Sequence, residues 1–146
     1  MLLPLIVWVN ALILSLLGLL HFYWATGGKW GADKAIPAEL TGKKLFIPGP
    51  MVCIAVGTGL MIMALFLVSV SVDSMVFLPD WLNKTGIVLL AFIFTARAIG
   101  EFRYVGFFKK IKGTDFARLD TRFYSPLCLY LGLTNTCLAF NILGFI

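Results

Sequence analysis

Charged residues are scarce in this sequence and unevenly distributed. Asp, Glu, Lys and Arg make up 13% of the 146 residues, whereas 60% of the residues are hydrophobic and the mean hydropathy is +0.96. Three long runs contain none of these four residue types, and they cover residues 1–28, 45–72 and 123–146. Such a chain has too little polar surface to cover a globule in water. The composition therefore excludes an ordinary soluble domain and predicts a membrane protein.

Cysteine and histidine are also rare, with three cysteines and one histidine in the chain. Cys53, Cys128 and Cys137 all fall within hydrophobic runs, and no Cys-x-x-Cys or Cys/His spacing typical of a metal site is present. We interpret the three thiols as small apolar packing groups. The Gly27-Gly-Lys29 segment follows a membrane helix and not a strand, so it does not match a nucleotide-binding loop. The sequence predicts neither a metal site nor a cofactor.

The hydrophobic runs predict an all-α protein with a four-transmembrane-helix bundle in a single domain of residues 1–146. Each run is long enough, alone or with its neighbours, to cross a hydrocarbon core. The predicted helices cover about residues 3–24, 48–72, 84–108 and 125–145.

The third predicted helix differs from the others because it contains charges. Its apolar part, Gly86–Ala96, has eleven residues. At about 1.5 Å per residue it would reach only half of a ~30 Å hydrocarbon core. To cross, the helix must continue through Arg97, Glu101 and Arg103. We therefore expect these three charges at or below the membrane surface, where each needs a partner or water.

The basic residues predict how the bundle is oriented. Eleven of the 12 Lys and Arg residues lie in or beside the first and third connections between the helices. The positive-inside rule then places residues 25–47 and 109–123 in the cytoplasm and both termini outside. We interpret Lys109, Lys110 and Lys112 as a solvated rim attracted to lipid. The net charge of +5 is explained by this orientation, so no nucleic-acid partner is predicted.

Several polar residues are predicted to collect at the cytoplasmic end of the bundle. Arg97 and Glu101 are four residues apart, so a continuous helix would present them on one face. The pair is either a structural ion pair or part of a functional site. The candidate ligand-binding residues at this level are His21, Trp24, Trp30, Arg97, Glu101, Arg103, Asp120, Arg122 and Tyr124.

A bundle that opens to one side, with an apolar floor and convergent polar groups, is typical of a small-ligand site. We therefore predict binding of an amphipathic or anionic small molecule, or of a lipid headgroup, with Arg97 held by Glu101. One alternative is a membrane enzyme in which His21 and Glu101 form an acid–base pair acting on a lipophilic substrate. The others are a small transporter that works as a homo-oligomer and a structural subunit of a larger complex. Membrane lipid is an expected partner in each case.

The two halves of the chain show a faint likeness. His21-Phe-Tyr-Trp24 ends the first helix, and Glu101-Phe-Arg-Tyr104 lies near the end of the third. A basic, glycine-containing loop follows each segment, and then Cys53 or Cys128. This pattern indicates two helical hairpins related by a pseudo-two-fold axis along the membrane normal. The axis would bring His21 and Glu101 to equivalent positions across one crevice.

Five motifs together resemble those of a family of small bacterial four-helix integral membrane proteins, which is catalogued only as a domain of unknown function. The resemblance covers nearly the whole chain and implies a four-helix architecture in a bacterial inner membrane. It implies no reaction, substrate or catalytic residue. The motifs are His21-x-Tyr-Trp24, Gly27-Gly-x-Trp-Gly31, Arg97-Ala-Ile-Gly-Glu-Phe-Arg-Tyr-Val-Gly-Phe-Phe-Lys109, Asp120-Thr-Arg122 and Tyr124-Ser-Pro-Leu-Cys128.

Overall fold

The computed structural model describes residues 2–71 and 78–145, and this part of the chain is all-helical. One isolated antiparallel bridge, between Ala38 and Lys44, is the sole β pairing in the described ranges. A π-helical turn, Asp120–Tyr124, leads directly into the last helix. The helices are α1 (Leu2–Ala25), α2 (Ala32–Ala35), α3 (Pro50–Ser71), α4 (Asp80–Ile99), α5 (Asp115–Leu119) and α6 (Ser125–Ile142).

Three of these helices are long and apolar enough to cross a membrane: Leu3–Ala25 of α1, Pro50–Val70 of α3, and α4. Only 28%, 22% and 28% of these segments are buried inside the protein, so most of their apolar surface faces outward. Outward apolar surface on this scale indicates a membrane protein. The predicted fourth span falls on α6, which is not among the three because the polar Thr134-Asn-Thr136 lowers its hydropathy.

The long helices pack as two pairs, α1 with α3 and α4 with α6, and the contacts between the pairs are sparser. Glycine lies at the closest approach in each pair. A Cβ atom built on Gly57 would lie 3.1 Å from the carbonyl oxygen of Gly18, and one built on Gly132 would lie 3.0 Å from the backbone nitrogen of Thr95. Small residues of this kind allow close helix packing in lipid.

The core lies where the two pairs meet. Leu14, Leu67, Ile87 and Leu131 come one from each long helix, and all four are fully buried. Tight packing of these side chains holds the pairs together at mid-length.

A buried polar contact accompanies this core. Asn10 and Asn135 are both fully buried, and the Asn10 Nδ2 donates to Asn135 Oδ1 at 3.3 Å and to Thr134 Oγ1 at 3.0 Å. Interhelical bonds of this type stabilise membrane bundles by about 0.6 kcal/mol each. They also keep the amides away from lipid, and they join α1 of the first pair to α6 of the second.

The third long helix ends earlier than the sequence predicts. α4 runs from Asp80 to Ile99 and not over residues 84–108, and the prediction of a continuous helix through Glu101 was wrong. The reason is Gly100, which adopts a φ of 84°, a left-handed backbone conformation that favours glycine. Its N–H donates to the Ala96 carbonyl at 2.8 Å and closes the helix. The other three long helices lie close to their predicted ranges, and residue 72 lies outside the described residues.

Candidate functional site

A buried carboxylate, Asp120, joins three parts of the second half of the chain. It lies in the π-helical turn and is fully buried. Its Oδ1 accepts a hydrogen bond from Arg97 Nη2 of α4 at 3.0 Å. Its Oδ2 accepts from the Gly106 N–H at 2.8 Å, from Lys109 Nζ at 2.9 Å and from Ser125 Oγ at 3.1 Å. The carboxylate therefore connects the end of α4, the loop of residues 100–114 and the start of α6.

Lys109 is nearly as buried as Asp120, with 2% of its surface exposed. Its Nζ donates to Asp120 Oδ2, to the Gly106 carbonyl at 2.8 Å and to Thr121 Oγ1 at 2.7 Å. These three acceptors match the three donors of an ammonium group, so the buried charge is fully hydrogen-bonded. Together, Arg97, Lys109 and Asp120 carry one positive charge in excess.

The ionised state of Asp120 follows from this environment. Burial alone would raise the pKa of the Asp120 carboxyl. The hydrogen bonds from Lys109 and Arg97, the Arg97 charge and the Gly106 N–H outweigh burial and hold this pKa below its ordinary value of 3.8. Asp120 is therefore an anion at neutral pH.

Two glycines allow the loop after α4 to return to Asp120. Gly100 and Gly106 both have positive φ, at 84° and 91°. A Cβ atom on Gly106 would collide with the Ile99 carbonyl oxygen and with the Cα of Gly100, so the backbones pack directly on each other. The Phe107 N–H also donates to the Ala98 carbonyl at 2.9 Å. This tight return places the Gly106 N–H beside the carboxylate.

Arg97 forms part of the wall of a cavity of about 680 Å³ between α1, the α1–α3 connection and the α4–α6 half. One guanidinium nitrogen is bonded to Asp120. The other, Nη1, is buried and has no hydrogen-bond partner among the described residues, while 34% of the side-chain surface remains exposed. An unpaired buried donor costs free energy, so a shift of the guanidinium that brings Nη1 to an acceptor in the cavity would stabilise the site.

His21 lies on the same cavity wall. Its Nδ1 is 2.8 Å from the carbonyl oxygen of Leu17, one turn earlier in α1. A carbonyl can only accept, so the neutral ring carries its proton on Nδ1 and leaves Nε2 as an acceptor. The ring packs edge-on against Trp24, with 5.0 Å between the centroids. No three His, Cys, Asp or Glu side chains form a metal-binding group in the described ranges, so we interpret His21 as a hydrogen-bonding group.

The α1–α3 connection is held across the mouth of this cavity. Trp24 Nε1 donates to the Trp30 carbonyl at 2.8 Å, which fixes the connection to α1. On the opposite side, Tyr124 Oη lies 3.4 Å from the Lys34 carbonyl. Burial and the negative charge of Asp120 raise the pKa of Tyr124, so its phenol remains protonated and able to donate.

The structure brings five of the nine predicted site residues together on this one cavity: His21, Trp24, Trp30, Arg97 and Tyr124. A sixth, Asp120, lies behind Arg97 as its hydrogen-bond partner. The remaining three lie elsewhere.

Glu101 does not hold Arg97, and this expectation was wrong. Because α4 ends at Ile99, Glu101 lies in the loop, exposed, and its Oε1 accepts from the Tyr104 N–H at 2.7 Å. It lines a different cavity of about 580 Å³, which borders the other side of Arg97. The proposed acid–base pair of His21 and Glu101 stays a prediction, with its members on different cavities.

Arg103 and Arg122 lie outside the 680 Å³ cavity. Arg103 is exposed, and its guanidinium carbon lies 5.2 Å from the centre of the Tyr104 ring. Arg122 is also exposed, with its guanidinium carbon 5.6 Å from the centre of the Phe123 ring. Both arrangements are intraloop cation–π contacts typical of surface arginines.

Sequence reasoning missed Lys109, which it assigned to a solvated rim. The composition of the Lys109-Lys110 pair gives no reason to bury one lysine and expose the other. A signal was present in the surroundings: Gly106 precedes Lys109 by three residues, and Phe107 and Phe108 make the segment apolar. A lysine in an apolar, glycine-containing turn is a candidate for burial when an acid lies nearby in sequence, as Asp120 does.

Comparison with known families agrees with the sequence-based resemblance. A family model matches residues 14–135, which include half of α1, the complete cavity wall and the Asp120 cluster. The chain belongs to this family. Its description is protein of unknown function (DUF3995), so the predicted resemblance to an uncharacterised family is confirmed. No curated protein and no solved structure matches the chain significantly.

Proposed function

We propose that this protein is a four-span integral membrane protein that binds an anionic amphipathic molecule, either a small molecule or a lipid headgroup, at Arg97. The observation that carries the proposal is the state of this arginine. It borders a large cavity, it has one buried nitrogen without a hydrogen-bond partner, and it belongs to a cluster with one positive charge in excess. An anion is the ligand that such a cluster stabilises.

The fourth span is supported by the contacts of α6. Its 18 residues cover about 27 Å at 1.5 Å per residue, close to the ~30 Å hydrocarbon core. The polar groups that lower its hydropathy are hydrogen-bonded inside the protein: Asn135 and Thr134 to Asn10, and Thr136 to the Gly132 carbonyl at 2.8 Å. Asn10 Oδ1 and Asn135 Nδ2 are buried without a partner among the described residues, but they are enclosed by protein and not by lipid. Polar groups that face a neighbouring helix in this way do not prevent a helix from spanning lipid.

The orientation of the protein and the identity of its membrane are part of the same proposal. With four spans, residues 25–47 and 109–123 lie in the cytoplasm and both termini outside, in the bacterial inner membrane. The Arg97 cavity is then on the cytoplasmic side. The distribution of Lys and Arg supports this orientation.

The cavity walls support an amphipathic ligand over a simple ion. The apolar side chains of Leu17, Leu20, Phe116 and Leu119 line it together with the indole rings. Lys29, Lys34 and Asp33 line the same space, and Asp33 is paired with Lys44, so the lysines leave an excess of positive potential. A volume of about 680 Å³ is within the range of small-molecule sites. A ligand with one anionic group and an apolar body satisfies both kinds of wall.

The test compares the purified wild-type protein with Arg97→Gln by native mass spectrometry. The probes are phosphatidylglycerol, which is anionic, and phosphatidylcholine, which has no net charge. We expect the wild type to retain phosphatidylglycerol in preference to phosphatidylcholine. The affinity of Arg97→Gln for phosphatidylglycerol should be at least about tenfold lower than that of the wild type. A hydrogen bond to a charged group contributes about 1.5–3 kcal/mol, and about 1.4 kcal/mol is a factor of ten.

Arg103→Gln is the matched control, because it removes the same charge from an exposed arginine outside the cavity. It should retain phosphatidylglycerol like the wild type. If Arg97→Gln and the wild type retain the same lipids in the same amounts, Arg97 is not an anion-binding residue and the proposal fails.

A further inference from the structure

The cavity at Arg97 adjoins two others that surround α2. It shares His21, Trp24, Asp33 and Ala35 with a cavity of about 330 Å³ that extends towards α3. It shares Arg97 and Phe116 with the cavity of about 580 Å³ that Glu101 lines. A residue that borders two cavities lies on their common wall. The three spaces are therefore neighbours around α2, and movement of the shared side chains would join them into one passage that includes Arg97.

The end of this passage nearest α3 is apolar and faces outward. The 330 Å³ cavity is lined there by Ile47, Val52 and Val56, which are 81%, 52% and 42% exposed. Val52 and Val56 belong to the first two turns of α3, a helix apolar enough to span the membrane. In a membrane-spanning α3, exposed valines at these positions face lipid chains. The passage therefore opens sideways, towards the bilayer.

The polarity of the passage changes along its length. Arg97 and the excess positive charge of its cluster lie in the 680 Å³ cavity, and Val52 and Val56 of α3 line the 330 Å³ cavity. His21, Trp24 and Asp33 border both cavities, and the Asp33 carboxylate is largely exposed and paired with Lys44. Trp24 presents an apolar ring, and its Nε1 is already bonded to the Trp30 carbonyl. This order, from cation to indole to aliphatic wall, is complementary to an anionic headgroup followed by an acyl chain.

We infer that the ligand of the Arg97 site is an anionic lipid that enters sideways from the bilayer. Its headgroup lies at Arg97, and one acyl chain passes His21 and Trp24 to emerge along the outer face of α3 at Val56. This inference rests on the proposed function and narrows it, because it excludes a water-soluble anion that reaches Arg97 from the loops.

Photocrosslinking tests the path of the acyl chain. The protein is reconstituted with phosphatidylglycerol that carries a diazirine in the acyl chain, irradiated, digested and analysed by mass spectrometry. We expect crosslinks at Val52 and Val56 to exceed those at Leu65, another lipid-facing residue of α3, by about fivefold or more. The excess should vanish in Arg97→Gln, and it should be absent for phosphatidylcholine with the same chain.

Val56→Trp fills the apolar end of the passage without touching the charge cluster. We expect it to lower phosphatidylglycerol retention several-fold. Val88→Trp is the matched control, because Val88 on α4 is 45% exposed, compared with 42% for Val56, and borders none of the three cavities. It should leave retention unchanged. Since both valines are surface residues, both variants are expected to fold.

The outcomes separate this inference from the proposed function. If phosphatidylglycerol is retained through Arg97 but crosslinks Val56 no more than Leu65, the sideways path is wrong and anion binding stands. If butyl phosphate or inorganic phosphate displaces the lipid at comparable concentration, the ligand is a free anion and the inference is overturned. If no anion is retained through Arg97, both fail.

Discussion

At Asp120, one carboxylate is shared between two buried or half-buried cations. Three of its four hydrogen bonds reach Oδ2, one of them from Lys109, and Oδ1 is left for Arg97. Lys109 is fully satisfied by the protein, so it has no donor left for a ligand. Lys109 therefore acts on a ligand through its charge. Because Lys109 and Arg97 share the single negative charge of Asp120, the positive charge of Arg97 is not fully neutralised.

This arrangement predicts opposite effects for two substitutions that do not alter Arg97. Lys109→Met removes a positive charge, so Asp120 neutralises Arg97 and phosphatidylglycerol affinity should fall by about tenfold. Asp120→Asn removes the negative charge, so the affinity of the folded fraction should rise. Lys110→Met, at the exposed neighbouring lysine, is the control and should change little. Retention measured by native mass spectrometry gives all three values.

The double variant separates charge from structure. Lys109→Met with Asp120→Asn restores one excess positive charge, so its affinity should return towards that of the wild type. Asp120→Asn alone leaves two cations without their anion and should be unstable by about 3–5 kcal/mol. If both single variants weaken binding alike and the double variant is weaker still, the cluster only supports the fold.

Among the elements, the loop of residues 100–114 decides the geometry of the site. It can leave α4 and return to Asp120 because Gly100 and Gly106 adopt conformations that favour glycine and pack without side chains between them. The loop thus depends on two positions where a single Cβ atom has no space.

A graded series of Gly→Ala substitutions tests this requirement. Gly49 has ordinary φ and open space, so Gly49→Ala should change stability by less than about 0.5 kcal/mol. Gly42 has a φ of 83° but no atom near its Cβ position, so Gly42→Ala should cost about 1 kcal/mol. Gly106→Ala combines positive φ with collisions and should cost about 3 kcal/mol or more. Thermal unfolding in detergent measures the order, and equal losses at Gly42 and Gly106 would contradict the packing argument.

The end of α4 also shows how far the sequence could predict the fold. Hydrophobic runs located all four long helices, because lipid exposure requires long apolar segments. The extension to residue 108 came from counting only the apolar part, Gly86–Ala96, which is too short to cross a membrane. The helix begins at Asp80, and its 20 residues reach about 30 Å without Glu101. Gly100 indicated that the helix ends there, but the prediction followed the length needed to cross the membrane instead.

Like the fold, the site could be predicted only in part from the sequence. His21, Trp24, Arg97 and Tyr124 lie at or beside the ends of long helices, where sequence depth alone indicates that they are near one another. The sequence could not predict that Arg97 bonds to Asp120 and not to Glu101. This pairing depends on a loop that closes through backbone contacts of glycine, and hydrophobic patterning carries no information about such contacts.

The whole molecule consists of two similar pairs of helices. Val7, Asn10, Ala11, Leu14 and Gly18 are buried in α1, and residues 87, 90, 91, 94 and 98 are buried in α4 with the same spacing. The spacing agrees with the predicted pseudo-two-fold relation of the two hairpins, which stays a prediction. The likeness ends at Gly100, since α4 stops there, whereas α1 continues through His21 to Ala25.

Labelling of single introduced cysteines tests the four-span topology. Lys43→Cys and Lys112→Cys replace residues of the two basic connections, and Lys84→Cys replaces an exposed residue at the opposite end of α4. In intact cells, a membrane-impermeant maleimide should label the cysteine at position 84 and a cysteine that replaces Phe145, an exposed residue beyond α6. The cysteines at positions 43 and 112 should react once the membrane is permeabilised. If position 84 is labelled in intact cells and position 145 is not, α6 does not cross the membrane and four spans are ruled out.

The Asp120 cluster is local in sequence, since all of its donors come from residues 97–125, whereas His21 and Trp24 belong to the other half of the chain. The charged centre can therefore assemble within the second helical hairpin soon after its insertion, before the two hairpins associate. The proposed lipid would contact both hairpins, so its occupancy would shift the association equilibrium towards the complete bundle. On this proposal, lipid binding and the final step of assembly are thermodynamically linked.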